Sequence, residues 1–172
     1  MGTYDAEGKP NVMTAAWGGI CCSRPPCIYV SLREATYSHS NIMSRRAFTV
    51  SVPREGQWRG ADYVGIVSGR DTDKFEDASL TPVRSEAVDA PYVGEYPLVL
   101  ECTVKDVVEL GLHTMFVGEI VDVKADEDAL TGDRPDIQKI RPILYGSGDR
   151  GYHSVGPRIG DAHTNRTPPA RT

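Results

Sequence analysis

The 172-residue sequence predicts a mainly β fold, a β-barrel or sandwich carrying short peripheral helices. Three observations carry that prediction. Short runs with strand character come early and close together, two long alternating runs fill the second half, and strands never alternate regularly with long helices as a doubly wound sheet requires. With 40% hydrophobic and 25% charged residues the chain suits one domain, placed at residues 1–160, followed by a flexible C-terminal tail at 161–172.

Taken in order, residues 11–17 (NVMTAAW), 27–32 (CIYVSL) and 48–52 (FTVSV) read as strands bounded by Gly, Pro and polar clusters. Between the last two, residues 40–47 form a short helix with Ile42 and Met43 on its apolar side. Residues 55–67 carry Trp58, Ala61, Tyr63 or Val64, and Ile66 or Val67 near helical spacing, weakened by Gly60 and Gly65. A further short helix holds Lys74 and Phe75, with Asp71 or Thr72 as its N-cap. Leu98, Leu100, Cys102 and Val104 alternate with Val99, Glu101, Thr103 and Lys105, which predicts a strand with one buried and one wetter face. Its partner is 114–125, joined through a hairpin at Gly111-Leu112-His113, and Gly118 inside it signals a bulge or a close backbone approach. One helical turn opened by Asp133 and Pro135 and a last strand at PILY complete the reading.

Composition excludes several functions. A net charge of −5 and a pI near 5.4 argue against nucleic-acid binding, which needs a surplus of Lys and Arg. No run approaches the roughly 20 apolar residues of a membrane span, and the polar start has no signal-peptide core, so a cytoplasmic protein is expected. The cysteines at 21, 22, 27 and 102 lack CxxC spacing and read as reduced thiols, with a strained vicinal pair at Cys21-Cys22 as the alternative. Histidines 39, 113, 153 and 163 form no ligand spacing, so no metal site is expected. Asn165-Arg166-Thr167 fits a glycosylation pattern, which carries no meaning without a secretion signal.

Few motifs carry chemistry. Gly146-Ser-Gly148-Asp-Arg-Gly151 has the G-x-G-x-x-G form, but no helix and second strand can follow it, so it reads as a turn-rich loop. The stretch after Leu32 is more informative. It delivers Arg33 and sets the hydroxyls of Thr36, Ser38 and Ser40 at a helix N-terminus, where free N–H groups and the helix dipole favour an anion such as phosphate. The blander alternative is one hydroxyl capping the helix and the others solvated. In NVMTAAW the small Thr14, Ala15 and Ala16 would let a flat ligand lie against backbone with Trp17 as a wall, or would simply permit close strand packing. His113 at the hairpin bend either braces the loop or faces a ligand.

In this order and spacing, NVMTAAW (11–17), PPCIYVSLREATYSHSNI (25–42), FTVSVP (48–53), VGIVSGRDTDKF (64–75), LECTV (100–104) and GLHTMFVGEI (111–120) resemble the flavin-reductase-like family, flavoredoxin-type members in particular. The resemblance implies an FMN-binding split barrel that forms a homodimer. It implies that Ser31, Leu32, Arg33, Thr36, Tyr37, Ser38 and Asn41 surround the FMN phosphate and ribityl chain, that Asn11, Met13, Thr14, Ala15 and Trp17 lie along the isoalloxazine, and that Lys74 and Phe75 add a further contact. The implied activity is electron transfer from NAD(P)H through FMN to a flavin, a ferric chelate or a protein acceptor, with His113 the candidate beside the reacting face. A flavoredoxin-like carrier without NAD(P)H oxidation and a flavin-free binding module are the alternatives. Family members carry an apolar strand before the GKPN turn, and MGTYDAEG in that place predicts that this strand is missing or shortened.

Overall fold

A computed structural model describes residues 1–164. The tail expected at 161–172 and the Asn165-Arg166-Thr167 pattern lie, from residue 165 on, outside the described residues. The elements run β1 (Gly2–Tyr4), β2 (Pro10–Val12), β3 (Gly18–Ser23), β4 (Pro26–Leu32), α1 (Tyr37–Arg45), β5 (Ala47–Val52), α2 (Trp58–Ile66), α3 (Lys74–Asp77), β6 (Pro82–Arg84), β7 (Pro91–Val93), β8 (Leu98–Glu109) and β9 (Thr114–Ala125). Two small hairpins end the fold: β10 (Leu130–Thr131) with β11 (Arg134–Pro135), then, after α4 (Ile137–Ile140), β12 (Ile143–Gly146) with β13 (Gly151–Ser154). Among the described residues no helix is long and apolar enough to cross a membrane.

Seven strands form one antiparallel sheet in the order β2-β1-β5-β8-β9-β4-β3. Period-2 patterning turns Ile28, Val30 and Leu32 of β4 inward, where they meet Phe48 of β5, Cys102 and Val104 of β8, Phe116 of β9 and Ile42 of α1 in one apolar core. Each large buried side chain there contributes about 1.5–3 kcal/mol. Because one core is enclosed by strands from across the sheet, the sheet is curled into a barrel, and its two edge strands β2 and β3 are consecutive in the chain. Residues 13–17 join them without strand structure. A second cluster, Val12, Val64, Phe75, Val93 and Tyr96, packs α2 and α3 onto the outside.

The mainly β barrel with short helices is as the sequence predicts, but several local readings change. NVMTAAW is a strand only to Val12, and Gly18–Ser23, not foreseen, is the strand that pairs with β4. MGTYDAEG does supply a strand: β1 lies inside the sheet between β2 and β5, pairing Gly2 with both Val12 and Thr49. α1 starts at Tyr37, ahead of residue 40. The cap of α3 is Asp73, not Asp71 or Thr72, its carboxylate accepting from the N–H groups of Phe75 and Glu76, and the cap of α4 is Asp136. PILY is not the last strand, since the glycines at 146 and 151 bracket a hairpin to β13.

β8 departs from simple alternation because its outer face is covered. The segment 85–93 lies there, so Glu101, expected on the wetter face, is 0% exposed. Its Oε2 accepts from the Ala87 N–H at 3.0 Å, and its Oε1 stands 3.4 Å from Lys124 Nζ. Gly118 is closely approached, by the Phe48 side chain, and it faces a bulge whose extra residue is Lys105 of β8. Register shifts opposite it between Val104 and Asp106, and a Cβ there would come within 2.5 Å of the Phe48 ring.

Candidate functional site

The chain leaves β4 at Leu32 and turns tightly, with the Thr36 N–H and hydroxyl both donating to the Arg33 carbonyl at 3.0 and 2.9 Å. That turn starts α1. Thr36 is the N-cap but makes no side-chain cap, and among the described residues the N–H groups of Tyr37 and Ser38 meet no acceptor. The Ser40 hydroxyl donates to the Tyr37 carbonyl and that of Ser38 accepts from Asn11, so none of the three hydroxyls caps the helix as the blander reading expected. The first turn keeps its free donors.

Buried hydrogen bonds fix this end of α1. Asn11 Nδ2 donates to Ser38 Oγ at 2.9 Å and to Thr3 Oγ1, which also accepts from Asn41 Nδ2 at 3.1 Å. The Tyr37 hydroxyl donates to Asp5 Oδ2 at 2.7 Å, and that bond pushes its pKa up to about 12. Strand β2, strand β1 and α1 are thereby locked to one another. Gly69 rests against the same group, closely enough that a Cβ would meet Asn11 Oδ1 and the Tyr37 ring. Asn11 Oδ1 is buried and has no hydrogen-bond partner among the described residues.

A cleft of about 180 Å³ opens over this helix end, lined by Met13, Ala35–Ser38, Gly65–Gly69 and Lys74. No carboxylate lines it. Burial pulls the pKa of Lys74 down to about 8 while its Nζ donates to the Val64 carbonyl at 2.8 Å. Arg70 joins the rim, with Nη1 donating to the Ala35 carbonyl at 2.9 Å and its guanidinium over the Tyr37 ring. Arg33 is exposed and does not line the cleft. Free N–H groups, the Arg70 guanidinium and no lining carboxylate make a donor set that fits a phosphate. The enclosed volume suits the polar end of a ligand, smaller than the several hundred Å³ that hold a whole one. A larger cleft of about 810 Å³, between residues 54–58 and 150–154, lies elsewhere and includes the acidic Glu55. The chemistry favours the smaller.

The structure thus brings Asn11, Met13, Thr36, Tyr37, Ser38 and Lys74 together, with Asn41 behind them, joined to Asn11 through the Thr3 hydroxyl. The remaining expected site residues sit apart. Leu32 and Phe75 are core residues at 3% and 2% exposure. Thr14 donates to the Ala61 carbonyl, Ala15 packs on the main core, and the Ser31 N–H holds the Trp17 carbonyl at 2.8 Å. Exposed Trp17 and half-buried His113 form an edge-to-face pair with centroids 6.3 Å apart, away from the cleft lining. Sequence reasoning missed Arg70 and the Gly65–Gly69 segment, although VGIVSGRD lay inside a resembling block. Only packing shows that Gly69 lies against Asn11 and Tyr37 and that Arg70 reaches the Ala35 carbonyl.

A family model, the flavin reductase like domain, matches residues 1–155. Among solved structures the chain is similar to flavoredoxin of Desulfovibrio vulgaris (Miyazaki F), with 50% identity, a TM-score of 0.91, and 95% of this chain and 88% of that one covered. It is also similar to flavoredoxin from Methanosarcina acetivorans, at 32% identity, TM-score 0.88, and coverage of 95% and 86%. A more distant relative, the ferric-chelate reductase (NAD(P)H) of Archaeoglobus fulgidus, is 29% identical over 113 residues, 62% of this chain and 63% of that one. The barrel, the order of its motifs and these matches agree that the chain belongs to the flavin-reductase-like family and has its split-barrel fold.

Proposed function

We propose that the protein binds FMN and acts as an oxidoreductase, taking electrons from NAD(P)H and delivering them to a flavin, a ferric chelate or a protein acceptor. The observation that carries this reading is the carboxylate-free cleft over the first turn of α1, in a chain of this family. FMN, when bound, would supply the two-electron redox chemistry. The first-turn N–H groups, Thr36, Arg33 and Arg70 would hold the phosphate, and Lys74 would add a positive charge nearby. Met13 to Trp17 would run beside the isoalloxazine, where small side chains leave backbone N–H groups within reach. His113, beside Trp17, would border the face open to the nicotinamide. Support for NAD(P)H and a ferric acceptor comes from the Archaeoglobus relative.

A second reading, a flavoredoxin-like carrier that exchanges electrons with partners without oxidising NAD(P)H, is favoured by the 50% identity to a flavoredoxin. Anaerobic stopped-flow mixing of the FMN-loaded protein with NADH and with NADPH separates the two: rapid bleaching of the flavin band supports the enzyme, and its absence supports the carrier. Failure of the purified protein to take up added FMN overturns both in favour of a flavin-free binding module. We also propose a homodimer that covers Trp17, Ile20 and Leu112, which are 57–67% exposed. A monomer by light scattering would contradict that.

A further inference from the structure

Four cysteines take no part in the chemistry above, and the turn at 23–26 folds the chain so that either Cys21 or Cys22 could stand opposite Cys27. The structure chooses between these. From Gly18 to Ile20, β3 pairs with β4 in an unbroken register, Gly18 with Val30, Gly19 with Tyr29 and Ile20 with Ile28. Continued, that register would set Cys21 opposite Cys27. It shifts instead, leaving Cys21 as the extra residue of a bulge and bringing Cys22 opposite Cys27.

Residues directly opposite in an antiparallel pair point to the same face with Cα atoms about 4.5–5.5 Å apart, inside the roughly 4.4–6.8 Å window of a disulfide. Ile28, Val30 and Leu32 face the barrel core, so Cys27 and Cys22 stand on the outer face. Their sulfurs approach successive carbonyls of the same turn, Cys22 Sγ that of Arg24 and Cys27 Sγ that of Pro25, each at 3.4 Å. Lys105, paired with Glu119 at 2.9 Å, is within electrostatic reach of both sulfurs. Cys22 is exposed and Cys27 is buried.

We propose that Cys22 and Cys27 are a redox-active dithiol that reduces small-molecule disulfides, with exposed Cys22 as the attacking sulfur and Cys27 as the resolving one. The Cys22 thiolate attacks a disulfide RSSR. The S–S bond of the reagent breaks, one RS⁻ leaves and takes up the proton that Cys22 released, and a mixed disulfide remains on Cys22. Cys27 then loses its proton, its sulfur bonds to Cys22 Sγ, and the second RS⁻ leaves with that proton. Two protein thiols and RSSR become one protein disulfide and two RSH, two electrons passing to the reagent. The Lys105 ammonium favours the Cys27 thiolate in the second step. Burial holds the Cys27 thiol above its usual pKa, in keeping with its acting second.

The test is anaerobic incubation of the purified protein with glutathione disulfide, then alkylation of remaining thiols and intact-mass analysis under non-reducing conditions. Wild type and Cys21→Ser should each lose two alkylatable thiols without gaining mass from glutathione, and dithiothreitol should restore them. Cys22→Ser, at an exposed position, should form no internal bridge. Cys27→Ala should stop at a stable glutathione adduct. The proposal is overturned if Cys22→Ser still forms an internal bridge, if Cys21→Ser abolishes it, or if wild type yields only glutathione adducts, covalent dimers or unreacted thiols.

Discussion

Replacing Gly69 by Ala should weaken the site more than any comparably small change elsewhere. A Cβ at Gly69 would lie 2.1 Å from Asn11 Oδ1 and 2.8 Å from Tyr37 Cδ1. Neither neighbour can yield cheaply: Asn11 is tied to Ser38 and Thr3, and Tyr37 to Asp5. Overpacking of this kind costs about 1–3 kcal/mol. If the whole molecule bears that strain, the melting temperature falls by about 2–12 °C at the roughly 2–4 °C per kcal/mol usual for this chain length. If the 65–69 segment moves aside instead, the cost appears in binding, as an FMN affinity about 5- to 150-fold weaker at 1.4 kcal/mol per tenfold. Thermal melts of the apoprotein and flavin fluorescence titration read the two together. Gly60→Ala is the control, because nothing lies within 4 Å of a Cβ there and Ala is favoured in α2 by up to about 1 kcal/mol. A Gly69→Ala protein with wild-type melting temperature and wild-type FMN affinity would refute the packing argument.

Three further outcomes follow from the same geometry. Arg33→Ala and Arg70→Ala should each weaken FMN binding by about 10- to 100-fold by dialysis, each losing a charge-assisted contact of roughly 1.5–3 kcal/mol, while riboflavin, without the phosphate, should bind both variants as it binds wild type. Lys74 has a folded pKa of about 8 against the ordinary lysine value of 10.5, so the unfolded chain binds more protons between those values and stability should rise with pH from about 8 to about 10. Above that the tyrosines held near 12, Tyr37 among them, act in the opposite direction. Lys74→Met should flatten the rise in urea midpoints, and an unchanged slope would reject the assignment. Gly118→Ala, which drives a Cβ into the buried Phe48 ring, should destabilise by about 1–3 kcal/mol in denaturant titration with little effect on FMN affinity.

Much of the barrel was legible because its strands obey local rules. β4 shows period-2 burial from Ile28 to Leu32, β5 is an apolar-rich run bounded by Arg46 and Pro53, and the β8–β9 hairpin is long enough to announce itself. What escaped depends on partners distant in the chain. Glu101 looks solvent-facing from its neighbours, and only the 85–93 segment buries it. β3, with Gly18, Gly19 and two cysteines, has weak strand character and exists because β4 offers it an edge. At the site, the crowding of polar residues after Leu32 pointed to α1, but which of them face the cleft is set by Asn11, twenty-seven positions from Ser38, and by Gly69. Phe75 sits beside Lys74 in sequence, yet its ring belongs to the outer core.

The stretch from Thr14 to Ala16, where neither edge of the sheet finds the other, has a consequence of its own. Among the described residues no protein oxygen receives the N–H groups of these three positions. Were the wall zipped shut along this line, each would be consumed by a neighbouring carbonyl and nothing would be left to greet a guest. Incompleteness in the ladder is therefore a reserve of hydrogen-bonding capacity, and a substitution that extended β2 toward Trp17 would gain rigidity while emptying that reserve.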